Sequence, residues 1–76
     1  MTRLPVMAAK DLEKILLHVG FIKIRQHGSH AFYRHPDGRT TTIPHHKGHD
    51  ISRPMVRTIL REIKIDIETF NSLLDN

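Results

Sequence analysis

The sequence predicts an α+β domain: one helix, three antiparallel strands, a second helix and a short third one. Three observations carry this. Apolar residues recur at helical spacing near the start and again after residue 53, the segment between alternates with a period of two, and strong turn residues punctuate it.

The first helix is expected over residues 8–19. Leu12, Ile15, Leu16 and Val19 form one apolar stripe, while Lys10, Asp11, Glu13 and Lys14 face water. Gly20 stands where a helix end wants a left-handed residue. Residues 1–6 before it read as a loose tail.

The sheet is expected over residues 21–43. Phe21 to Gln26 places Ile22 and Ile24 on one side and Lys23 and Arg25 on the other. Phe21 itself is placed to pack under the first helix. His27-Gly28-Ser29 is a turn, and His30 to His35 a second strand. Its two sides carry one aromatic each, Phe32 and Tyr33, so the pattern leaves open which side is inner. Pro36-Asp37-Gly38-Arg39 is a strong hairpin turn, and Thr40 to Ile43 a third strand closed by Pro44.

After the polar stretch from His45 to Ser52, the second helix is expected over residues 54–63, with proline in its first turn. Met55, Val56, Ile59, Leu60 and Ile63 face inward; Arg53, Arg57, Arg61 and Lys64 form a cationic stripe on another side. Asp66 can cap a short helix over residues 67–74, which closes the core with Ile67, Phe70, Leu73 and Leu74. The α-β-β-β-α order is that of double-stranded-RNA-binding domains.

Composition bounds the function. The 76 residues make a single domain, in which about 60–65% of the unfolded surface becomes buried. The chain has no cysteine, which excludes disulfides and thiolate metal sites, and no apolar run of membrane-spanning length. The first residues lack the apolar core of a signal peptide, so a cytoplasmic location is expected. Charge is unevenly spread: residues 23–64 hold nine bases against three acids, whereas residues 65–76 hold three acids and no base. Six of the seven histidines lie between His27 and His49. A basic middle of this kind is the footprint of a polyanion binder, although a solvated basic surface would read the same way.

Within that segment, His30 stands at the junction of a glycine turn and a strand, held by a rigid element yet reachable. A histidine titrates near pKa 6.5 and can move a proton near neutral pH. Cleavage of RNA by its own 2′-hydroxyl needs little more than a base, an acid and cations on the phosphate. A turn histidine bonded to backbone or solvent is the alternative. His45, His46 and His49 lie close in sequence, but adjacent residues point apart in extended chain, so a metal site is not expected and no cofactor is called for. No phosphate-cradling glycine loop, nucleophilic triad or carboxylate pair is visible.

The chain resembles the HicA family of toxin ribonucleases of prokaryotic toxin–antitoxin systems. The resemblance runs from Gly20-Phe21 through Arg25, Gly28-Ser29-His30 and Tyr33, then through His35-Pro36, Ile43-Pro44 and His46, and ends in Val56-Arg57-Thr58-Ile59-Leu60. It implies a double-stranded-RNA-binding-domain-like fold and metal-independent cleavage of messenger RNA, with the triplet histidine, His30, as the catalytic residue. It also implies a HicB-type antitoxin partner that covers the active site. Many relatives carry a second polar or histidine residue where this chain has Ala31, and glycine in the turn where it has Pro54. The resulting expectation is an endoribonuclease with His30 as general acid/base. Lys23, Arg25, Ser29, Lys47, Arg53, Arg57 and Arg61 are the candidate RNA contacts. A non-catalytic RNA-binding module is the alternative, and a protein-interaction domain that has lost nuclease function is a third reading.

Overall fold

The computed structural model describes residues 4–75. Its element order is α1 (Ala9–His18), β1 (Ile22–His27), β2 (His30–Arg34), β3 (Thr40–Pro44), α2 (Arg53–Ile63) and α3 (Ile67–Leu74). The three strands form one antiparallel sheet in the order β1-β2-β3. Every expected element is present, with ends shifted by a residue at most.

Burial settles which side of β2 is inner. Ala31 and Tyr33 are fully buried, as are Ile43 and nearly Thr41 on β3. These side chains meet Leu12 and Leu16 of α1, Val56, Ile59, Leu60 and Ile63 of α2, and Phe70 of α3 in one core. Alternation then turns His30, Phe32 and Arg34 to the opposite face, away from the helices. Thr41 Oγ1 donates to Glu62 Oε1 at 2.8 Å and fastens β3 to α2 on the inner side.

β1 differs from the expected half-buried strand. All six residues are exposed, with Ile22 at 56% and Ile24 at 46%. The register slips between Lys23, which opposes Tyr33, and Arg25, which opposes Phe32, so Ile24 is the extra residue of a bulge. The strict alternation of the sequence is thereby broken, and Lys23 and Arg25 fall on opposite faces. β1 is an edge strand that the helices do not cover.

Both main helices end in the same way. At α1, Phe21 N–H donates to Leu16 O at 2.9 Å and Gly20 N–H to Leu17 O at 3.2 Å, with Gly20 at φ +105°. This is a Schellman cap. His35 reinforces it: the Val19 carbonyl can only accept, so His35 Nε2 donates to it at 3.1 Å. Its Nδ1 then accepts from Asp37 N–H. At α2, Ile65 N–H reaches Leu60 O and Lys64 N–H reaches Arg61 O, with Lys64 in the left-handed region at φ +58°. The helix starts are capped by Ser52, which accepts from Met55 N–H, and by Asp66, which accepts from Thr69 N–H at 2.7 Å. The Asp66 bond holds its carboxyl below the usual range.

Three side chains depart from their expected faces. Met55 and Leu74 are exposed, and Glu13 is not free in water but bonded to Tyr33. The tail over residues 1–6 departs too. Leu4 is 3% exposed, its carbonyl accepts from Arg53 Nε at 2.8 Å, and Met7 bridges to Ile51. The part of that tail at residues 1–3 lies outside the described residues.

Candidate functional site

The turn joining β1 and β2 has Gly28 and Ser29 at its centre, with His27 and His30 paired on either side. Gly28 takes φ +58° and Ser29 does not take a positive φ, the pattern of a type II′ hairpin turn with glycine first. A Cβ at Gly28 would meet nothing within 4 Å, so the turn demands its backbone angle and not its small size. His27 and His30, opposite one another in the ladder, lie on the outer sheet face.

The loop after β3 is laced to this turn. His45 N–H donates to Ser29 O at 2.5 Å, and His49 N–H donates to His46 O at 3.0 Å. The lacing brings His46 against His30, with ring centroids 6.2 Å apart and planes at 80°. Both rings are exposed. Further along the same face, the Arg25 guanidinium lies 5.0 Å from the centroid of the half-buried Phe32 ring.

A polar network underlies the loop on the inner side. The buried Tyr33 hydroxyl donates to Glu13 Oε2. Having spent its one proton there, it accepts from His45 Nε2 at 2.8 Å, so His45 carries its hydrogen on Nε2. Lys23 Nζ lies 3.4 Å from the same Glu13 oxygen. Burial by itself raises the Glu13 carboxyl, but the Tyr33 hydrogen bond and the Lys23 charge outweigh it and hold it low. Burial, then the bond to Glu13 and its charge, push the Tyr33 hydroxyl far up. Burial also lowers His45, against the pull of Glu13 and with the help of Lys23.

The structure divides the candidate residues. His30 and Arg25 share the outer face, Ser29 sits in the turn with its carbonyl on the loop, and Lys47 follows His46 directly. Lys23 lies in register with Tyr33 on the other face and pairs with Glu13. Arg53 holds Leu4, while Arg57 and Arg61 line a groove with Leu4, Asp66 and Glu68 on the helix side. Arg57 and Arg61 therefore lie among the helices, whereas His30 stands on the uncovered sheet face. Among the described residues, no three of the histidines and carboxylates converge as a metal site.

Two features escaped the sequence reading: the His30–His46 contact and the Glu13–Tyr33–His45 network. The second had a signal, since a buried tyrosine needs a partner for its hydroxyl. Which partner it finds depends on contacts 20 and 12 residues away.

The arrangement defines a small α+β protein that offers histidines and an arginine on an uncovered sheet face. The model of a family described as the HicA toxin of bacterial toxin–antitoxin systems matches residues 9–65, and the chain belongs to that family. It is thus the toxin member of a toxin–antitoxin system, a class that works with an antitoxin partner. No curated protein matches the chain. No helix among the described residues is long and apolar enough to cross a membrane.

Proposed function

We propose that the protein is a metal-independent endoribonuclease that cleaves messenger RNA, with His30 as general acid/base, and that a HicB-type antitoxin covers this face. The observation that carries the proposal is the placement of His30. It is exposed at the first residue of β2, locked by a two-residue turn, with Arg25 on the same face and the Lys47 loop beside it. A positioned imidazole supplies about 10²–10⁴-fold through proton transfer, and arginine and lysine stabilise charge developing on the phosphate. Arg25, Ser29 and Lys47 are the RNA contacts nearest the chemistry. Arg57 and Arg61 would hold a more distant stretch of RNA. Lys23 and Arg53, engaged with Glu13 and Leu4, have more to do with holding the fold.

The test compares wild type with His30→Ala for growth arrest and for cleavage of purified RNA. Both activities should vanish in the variant while its circular dichroism is unchanged, and a chelator should leave wild-type cleavage intact. Cleavage by His30→Ala at the wild-type rate would sink the assignment. Tight RNA binding by the wild type with the substrate intact would establish the non-catalytic module instead.

A further inference from the structure

We propose that His46 is the second catalytic imidazole, paired with His30 so that one takes the 2′-hydroxyl proton while the other protonates the leaving oxygen. The inference rests on the endoribonuclease reading and deepens it. Transesterification moves two protons at two places. The O2′–P bond forms as its hydroxyl proton departs, and the P–O5′ bond breaks as O5′ gains a proton. The products are a 2′,3′-cyclic phosphate and a 5′-hydroxyl, with no oxidant or reductant involved. Entering and leaving oxygens lie on opposite sides of phosphorus in an in-line displacement, so one ring cannot serve both at once. A base and an acid must therefore flank a single phosphate, and two imidazoles can fill both roles.

His30 and His46 are so placed. Their centroids are 6.2 Å apart and their rings edge to face, both exposed. A phosphate resting against both rings would have each within the ~2.6–3.2 Å reach that proton transfer needs. The spacing is not left to a floppy loop. His46 is preceded by a residue fixed twice, its N–H on Ser29 O and its side chain on Tyr33. Ser29 in turn precedes His30, so a single backbone hydrogen bond joins the residues just before each ring. The surroundings favour an anion: His27 faces the pair from β1, and Lys10, Lys47 and His49 line the groove that contains His46, with Asp50 its one carboxylate.

The experiment measures single-turnover RNA cleavage against pH for wild type, His30→Ala, His46→Ala and His46→Gln, with circular dichroism as a folding control. Wild type should give a bell. Each His46 variant should lose about 10²–10⁴-fold in rate, with little change in KM, and its profile should keep only one limb. Added free imidazole should restore part of the His46→Ala rate. His46 variants that keep both limbs, at full or reduced rate, would overturn the pair while leaving His30 in place. A His30→Ala enzyme that still cleaves at the wild-type rate would overturn the underlying reading, and the pair with it.

Discussion

Tyr33 accepts a hydrogen bond from His45 because its own proton is committed to Glu13, so three residues from α1, β2 and the loop after β3 share one polarised chain. The chain lies directly beneath the loop that carries His46. Its members are a core tyrosine and two half-buried polar groups, so deleting the centre removes a hydrogen bond from each end, while Glu13 keeps Lys23.

Tyr33→Phe should therefore cost about 1–2 kcal/mol, between the worth of a neutral hydrogen bond and that of one to a charged group. Urea unfolding monitored by circular dichroism would measure it. Cleavage by the variant should fall as well, because the loop is no longer held against the turn. A variant with unchanged stability would show that the network contributes nothing net.

Acid should weaken the fold through two members of this network. Glu13 has a depressed pKa, so its contribution is present above the unfolded carboxylate value and is lost as pH falls through the folded one. His45 also has a depressed pKa, so the unfolded chain takes up its proton first. Stability should decline from about pH 6.5 downward. Urea midpoints between pH 8 and pH 4 would trace both, and His45→Gln should flatten the upper part of the decline.

Two glycines separate backbone strain from crowding. At Gly28, alanine meets only the left-handed backbone and should cost about 1–2 kcal/mol. At Gly20 its Cβ would also fall 2.8 Å from His35 Nε2, so Gly20→Ala should cost more than Gly28→Ala. Thermal unfolding of the two variants side by side gives the ranking.

Lys64 offers the converse. It occupies the left-handed position that ends α2, at φ +58°. Lys64→Gly should raise stability by about 0.5–1 kcal/mol by removing the Cβ penalty. A decrease would mean that the lysine makes a contact worth more than its strain.

Arg25 should act on RNA as a phosphate contact. Arg25→Ala should weaken binding of single-stranded RNA and reduce its dependence on log salt concentration by about 0.7, the value for one phosphate on a single strand. Fluorescence anisotropy at several salt concentrations measures the slope. Arg53→Ala, by contrast, should lower stability by about 1 kcal/mol, through its bond to Leu4, and leave the slope unchanged.

The fold was legible because it is written locally. The stripe of α1, the Asp37-Gly38 turn and the Asp66 cap each declare themselves within a few residues. What was illegible depends on pairing between distant segments. The bulge at Ile24 is set by the partner strand, and it moved Lys23 from the company of Arg25 to that of Glu13. Arg53 continues the cationic spacing of Arg57 and Arg61, yet it reaches back to Leu4. The position of His30 followed from its turn, whereas its neighbour His46 required a loop to close against that turn.

The bond between Arg53 and Leu4, 49 residues apart, also sets a schedule. A ribosome adds Leu4 early, but the residue that holds it follows 49 positions later. Phe70, fully buried, arrives later still. An unfinished polypeptide already carries His30 yet lacks the parts that fasten its scaffold. For a toxin, that order of events keeps the scaffold unfastened until Arg53 and Phe70 have been made.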